Sequence, residues 1–209
     1  SSAASDVYKR QKYTQQNKSY GLTTIRKKHL TIEGDEMIFS YKGKSGKFQE
    51  KHIINSKLSK VISELEELPG YRLFKYYDEN GELITVESQD LNQYIKEIMG
   101  EEFSAKDFRT WAGTMIAAGI LDELGICEKQ QQKEMKKRIR NAIVAVSEKL
   151  GNTPAVARDS YIDPRIFEHY KNGQTINYFQ KEIKKLLRKN ENLSETEVGV
   201  LYMLKSKLK

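Results

Sequence analysis

The chain has 209 residues, of which 31% are charged and 10% aromatic, and its formal net charge is +7. This length can bury a real core, and the composition excludes a disordered chain, while the positive charge favours a polyanionic partner, nucleic acid before membrane. Its single cysteine, Cys127, excludes a disulfide framework and fits a reducing cytoplasm, and no apolar run approaches transmembrane length.

The first eleven residues are small, polar and aperiodic, unlike the rest of the chain. They are similar to translated adapter sequence at the ends of some metagenomic assemblies. We therefore expect residues 1–11 to be non-native, with an ordinary disordered terminus as the alternative. Coherent sequence begins at Lys12, and the folded part is expected over 12–209.

Strand patterns in the first half predict a small antiparallel sheet. Leu30 and Ile32 alternate with polar residues, a turn follows, and residues 37–41 are apolar and aromatic. Lys44 lies in a glycine-flanked hairpin tip at residues 43–46, and a return strand is expected over 47–54. Residues 72–86 are compatible with a second hairpin or with an extended loop.

Apolar residues at helical spacing dominate the remainder. They predict helices over 56–68, 88–99, 105–121, 128–150, 166–170, 176–188 and 195–208. We expect Ser88 to cap the second of these. In the third, which a Ser104 capping box opens, Phe108 should point to the core, and Arg109 should lie just off the apolar face. The predicted fold is mainly α with a small N-terminal antiparallel β-sheet, an α+β class.

The segment 150–164, L-G-N-T-P-A-V-A-R-D-S-Y-I-D-P, contains two helix starts. In each, a capping residue precedes a proline: Thr153 in the first and Asp163 in the second. The first helix should run to Ser160, which places Tyr161 at the joint between two short helices. A tyrosine there could pack a helix corner, or it could act as a nucleophile toward a phosphodiester.

The string G-N-T-P-A-V-A-R-x-S-Y-I-x-P resembles the nucleophile motif of the small poxvirus-like type IB DNA topoisomerases, in their bacterial branch. Gly43-Lys44 and Phe108-Arg109-Thr110-Trp111 match two further motifs, in the family's order and at its approximate spacing. The resemblance covers about residues 13–190. It implies the type IB topoisomerase and tyrosine recombinase catalytic-domain fold, with 12–209 as the catalytic domain.

The resemblance also implies an activity. A monomer in the cytoplasm, at the nucleoid, would relax supercoiled double-stranded DNA through a 3′-phosphotyrosyl intermediate, without ATP, metal or other cofactor. Scattered histidines at 29, 52 and 169 likewise give no reason to expect a metal site.

Residue roles follow from the same resemblance. Tyr161 would attack the phosphorus, Arg109 would clamp a non-bridging oxygen with its planar fork, and Lys44 would donate a proton to the leaving 5′-oxygen. Asn152 stands where other branches carry histidine and would bind the phosphate; a helix cap is its alternative role. Expected DNA contacts, which could instead be solvated charges, are Arg26, Lys27, Lys28, Lys47, Lys136, Lys137, Arg140 and Arg158.

Two features of the family have no match in the pattern. The place of an early catalytic arginine falls at Val7, and Arg10 is nearby but out of register. The family's N-terminal clamp domain also has no counterpart. Because losing one phosphate-binding arginine commonly costs about 100-fold in rate, we expect weak or undetectable relaxation by this chain.

Two other functions fit parts of the sequence. A tyrosine recombinase uses similar residues, but the chain lacks a His-x-x-Arg box and has Gly-Asn-Thr-Pro in its place; a DNA-bound tetramer would favour this alternative. A non-enzymatic basic DNA-binding module would leave the set of Lys44, Arg109 and Tyr161 unexplained.

Overall fold

The computed structural model describes residues 19–43, 46–128, 131–188 and 192–206. The chain divides into two compact units, one ending at Phe103 and the other beginning at Ser104. The described part is mainly helical, with a small antiparallel sheet in the first unit, as predicted. Residues 1–11 lie outside it, so their non-native origin stays a prediction, and so does the single catalytic domain over 12–209.

The first unit is built on a three-stranded antiparallel sheet in the order β1-β2-β3. The strands are β1 (Leu30–Glu33), β2 (Glu36–Lys42) and β3 (Phe48–Ile54). Met37 and Phe39 of β2 are buried, while the residues between and beside them are half-exposed, so one face of the sheet covers a core. That core comprises Ile25, Leu30, Met37, Phe39, Ile62 and Leu73.

Two helices and a second hairpin complete this unit. They are α1 (Ser56–Glu67), β4 (Lys75–Tyr77), β5 (Leu83–Thr85) and α2 (Ser88–Met99). Residues 72–86, for which the sequence allowed a hairpin or an extended loop, therefore form a hairpin. The predicted cap of α2 is wrong by one residue: Glu87 is the N-cap, because its backbone N–H donates to the Asp90 carboxylate at 2.7 Å.

The described residues of the second unit form helices joined by loops. Its helices are α3 (Ala105–Glu123), α4 (Gln132–Leu150), α5 (Pro154–Ser160), α6 (Pro164–Lys171), α7 (Gln180–Leu187) and α8 (Glu195–Lys205). Ala117 and Ala118 of α3 and Ala142 of α4 are almost fully buried where these two helices pack. Small side chains allow the close approach that holds the longest helices of the unit together.

Several sequence predictions for this unit are wrong in detail; the last helix, for example, ends at Lys205 and not at residue 208. The long helix begins at Gln132 and not at residue 128, and Arg138 of this helix donates to the carbonyls of Leu124 and Gly125, which lie outside it. Phe108 is 53% exposed, since the first turn of α3 precedes the part of the helix that packs on the core. The helix predicted over 176–188 starts with a 3-10 turn, Asn177–Phe179, before α7.

No helix in the described ranges is long and apolar enough to span a bilayer. Within the same ranges, no three His, Cys, Asp or Glu side chains come together as metal ligands could.

Candidate active site

Tyr161 lies at the joint between α5 and α6, as predicted. Thr153 caps α5 by accepting a hydrogen bond from the Val156 amide at 3.3 Å, and Asp163 caps α6 by accepting one from the Arg165 amide at 3.0 Å. The Tyr161 amide closes the last turn of α5 by donating to the Ala157 carbonyl at 3.1 Å. Because Tyr161 is half-exposed, it is not a core tyrosine.

Arg109 reaches the tyrosine from α3. Its guanidinium carbon lies 5.0 Å from the centroid of the Tyr161 ring, within the range of a cation–π contact. Its Nη2 donates to the Leu150 carbonyl at 2.7 Å. Asp107, two residues before Arg109, accepts hydrogen bonds from Ser104, and these hold the pKa of its carboxyl below the ordinary value.

Asn152 contacts the same carbonyl. Its Nδ2 donates to the Leu150 oxygen at 3.3 Å, next to the bond from Arg109. Leu150 ends α4, and the last carbonyls of a helix have no intrahelical donor, so they can accept from side chains. Thr153 and not Asn152 caps α5, as predicted. The structure thus brings Arg109, Asn152 and Tyr161 together, and the Leu150 carbonyl that links two of them was not predicted.

Lys44 lies outside the described residues. Next to it, the Gly43 amide donates to the Lys47 carbonyl at 2.7 Å, and Gly46 has φ +72°, so the chain turns here between β2 and β3. The left-handed conformation at Gly46 suits glycine because it has no Cβ to clash. A hairpin at this point agrees with the sequence prediction.

The basic residues predicted in the first unit differ in their surroundings. Lys28 and Lys47 are exposed. Lys27 is half-buried, and its Nζ donates to the Leu68 carbonyl at 2.6 Å. The Arg26 guanidinium stacks on Tyr71, with 4.8 Å from its carbon to the ring centroid. Lys27–His29 form a 3-10 turn, and Arg26 precedes it.

Most of the predicted DNA-contacting residues in the second unit line one cavity. Lys136 and Arg140 of α4 and Arg158 of α5 line a cavity of about 1040 Å³ between α4, α5 and α6. Lys171 lines it as well, which sequence reasoning missed, and Asp159 and Glu168 add negative charge. Lys137 is exposed on α4 but is not among the lining residues.

The chain is similar to known DNA topoisomerases. Residues 9–190 match the family described as eukaryotic DNA topoisomerase I, catalytic core. DNA topoisomerase 1B of Acanthamoeba polyphaga mimivirus is 35% identical over 187 residues, and the alignment covers 82% of this chain and 56% of that protein. The chain therefore spans about half the length of this curated relative.

Proposed function

Since the chain belongs to the catalytic-core family of eukaryotic DNA topoisomerase I, we propose that it is a type IB DNA topoisomerase. In this function it relaxes supercoiled double-stranded DNA by cutting one strand, allowing rotation and resealing the strand. The observation that carries the proposal is the placement of Arg109 over Tyr161, with 5.0 Å from guanidinium carbon to ring centroid. It puts an anion-binding group beside an accessible phenol.

Cleavage is a transesterification at Tyr161. The phenol loses its proton as its oxygen attacks the phosphorus, and a P–O bond to tyrosine forms. The P–O bond to the 5′-oxygen breaks, and that oxygen takes up a proton. The products are a 3′-phosphotyrosyl ester and a 5′-hydroxyl. The phosphodiester energy is retained in the ester, so attack by the 5′-hydroxyl restores both the DNA and the tyrosine without an energy source.

Arg109 and Asn152 bind the phosphate. The transition state concentrates negative charge on the non-bridging oxygens, where fixed donors stabilise it most. A guanidinium carries five N–H donors, and the bond to Leu150 uses Nη2 alone, so the fork can still meet a phosphate. An amide cannot exchange protons near neutral pH, so Asn152 acts by hydrogen bonding. Lys44 is proposed as the acid for the 5′-oxygen on the strength of the sequence motif.

The basic surfaces hold the duplex. In the second unit Lys136, Lys137, Arg140 and Arg158 are exposed and can bind backbone phosphates. In the first unit Arg26, Lys28 and Lys47 contribute, and so does Lys27, whose ammonium keeps two further donors beside its bond to the Leu68 carbonyl. We further propose a monomer that acts at the nucleoid in the cytoplasm, from the bacterial branch of the family. The Gly-Asn-Thr-Pro motif, with Asn152 in place of histidine, supports that branch.

A labelled suicide duplex tests the proposal. A nick just beyond the cleavage site lets the short 5′-hydroxyl fragment diffuse away, so the covalent complex accumulates even when cleavage is slow. We expect a 5′-label on the cut strand to remain with the protein in EDTA, and Tyr161→Phe to abolish this. Retention of a 3′-label instead, or an undiminished adduct in Tyr161→Phe, would contradict it. The family match does not favour a recombinase, and a DNA-bound tetramer in the same samples would revive that alternative.

A further inference from the structure

The backbone of Tyr161 rests directly on α3, the helix that also carries Arg109. A Cβ added at Gly113 would lie 2.2 Å from the Tyr161 carbonyl oxygen and 3.2 Å from the Tyr161 Cβ. No real side chain tolerates the shorter distance, and the obstructing atom is backbone, which cannot rotate away. Glycine in the middle of a helix is intrinsically unfavourable, so its presence at this contact has a packing reason.

Two threonines on the same helix hold the chain on either side of the tyrosine. The Thr110 hydroxyl donates to the Ser160 carbonyl at 3.2 Å. The Thr114 hydroxyl accepts from the Asp163 amide at 3.0 Å, and Thr114 is only 2% exposed. The segment around Tyr161 is therefore bonded to α3 just before and just after the tyrosine, and it touches the helix at Gly113 between those bonds.

Positions 110, 113 and 114 fall three and four residues apart, so they share one face of the helix. Arg109 is adjacent to that face and reaches the Tyr161 ring. A single rigid helix thus fixes both the proposed nucleophile and the proposed phosphate clamp. Hydrogen bonds and close packing on one element hold geometry better than separate loops do.

We propose that Thr110, Gly113 and Thr114 form a tyrosine seat, a set of positioning residues that fix Tyr161 relative to Arg109 for in-line attack. The inference rests on the proposed function and deepens it. None of the three residues needs to touch DNA. Their effect is on the rate of cleavage and not on DNA affinity, because a nucleophile displaced by about 1 Å can lose about 100-fold in rate.

The same helix supplies a matched control. Gly119 also lies in α3, and a Cβ there would meet nothing within 4 Å. Gly113→Ala and Gly119→Ala are therefore the same substitution in the same helix, with and without the contact to Tyr161. We expect Gly113→Ala to slow single-turnover adduct formation at saturating DNA by at least about 10-fold with unchanged DNA affinity, and Gly119→Ala to keep the wild-type rate. A wild-type rate in Gly113→Ala would overturn the seat.

Two variants of Thr114 keep the test usable if Gly113→Ala does not fold. Thr114→Ser retains the hydroxyl that accepts from the Asp163 amide, whereas Thr114→Val removes it at similar volume. We expect the serine variant to cleave at the wild-type rate and the valine variant to be slow, with the same DNA affinity for both. Equal rates for the two variants would refute a positioning role for this hydroxyl.

A measurement without DNA separates failure of the seat from failure of the proposed function. The Tyr161 ring should shift the NMR signals of the Arg109 side chain, and Tyr161→Leu identifies that shift. We expect Gly113→Ala to lose it and Gly119→Ala to keep it, even if the wild type forms no adduct. An unchanged shift in folded Gly113→Ala would overturn the seat, and so would a lost shift with an unchanged cleavage rate.

Discussion

Arg109→Ala should remove most of the cleavage rate while the protein stays folded. Among the residues that the structure describes, Arg109 is exposed and makes one hydrogen bond, to Leu150 at 2.7 Å, and one ring contact, to Tyr161 at 5.0 Å. An exposed cation–π contact contributes about 0.5–1 kcal/mol, and a solvent-exposed hydrogen bond from a charged donor contributes about 1 kcal/mol. The free energy of unfolding should therefore fall by about 2 kcal/mol at most.

That loss is too small to explain a loss of activity. From a typical total of about 5–15 kcal/mol, it leaves about 99% or more of the molecules folded at 25 °C. Removing one donor from a developing oxyanion, by contrast, commonly costs about 100-fold to 1000-fold in rate. Arg109→Lys keeps the charge but not the planar fork, so its rate should fall between those of Arg109→Ala and the wild type.

The assay is single-turnover adduct formation on the suicide duplex, with urea unfolding of each variant in the same buffer. Lys185→Ala is the control, because it removes one exposed positive charge from α7 of the same unit. We expect it to cleave like the wild type. The reasoning would be refuted if Arg109→Ala cleaved within about threefold of the wild type, or if Lys185→Ala were equally slow.

Three further predictions concern protonation. Hydrogen bonds from Arg165 hold the pKa of Asp163 below its ordinary value. The ionised carboxylate therefore stabilises the fold above about pH 4, and this effect is lost as pH falls through the folded-state pKa. The free energy of unfolding, measured with urea, should fall more between about pH 5 and pH 3 in the wild type than in Asp163→Asn, and an equal fall would contradict this. Hydrogen bonds from His52 to Glu36 and Glu50 raise the pKa of His52. The midpoint of its NMR titration should therefore lie above about pH 6.5 and should fall in Glu36→Gln. A midpoint that does not move in this variant would refute the pairing. Lys44→Ala should slow cleavage of ordinary DNA but not of DNA with a 5′-bridging sulfur, since a thiolate leaves without an acid; equal slowing of both would exclude Lys44 as proton donor.

Local signals predicted the surroundings of Tyr161 well. Thr153-Pro154 and Asp163-Pro164 each combine an N-cap residue with a proline at the first helical position. Both helices begin at these prolines. The position of Tyr161 at their joint follows from those two starts alone. Catalytic roles could not be derived in this way; they came from the family resemblance and stay proposals, and so does the weak relaxation expected from the missing arginine.

The tyrosine seat could not be predicted because its contacts are distant in sequence. Thr110 bonds a residue 50 positions away, and Arg109 bonds one 41 positions away. No local pattern contains such a pair. The one available signal was Gly113 itself, since a glycine inside a helix costs about 1 kcal/mol relative to alanine and so indicates a close approach. The exposed Phe108 was missed for the same reason: periodicity marks an apolar face but not where its packing partner begins.

The measurement that tests the central claim most directly is the site of the covalent bond. Trypsin cleaves after Arg158 and Arg165, and the peptide between them, D-S-Y-I-D-P-R, contains Tyr161 as its only tyrosine. Mass spectrometry of the digested adduct, after nuclease trimming, should find the 3′-nucleotide on this peptide. A nucleotide on a peptide that carries any other tyrosine would contradict the account.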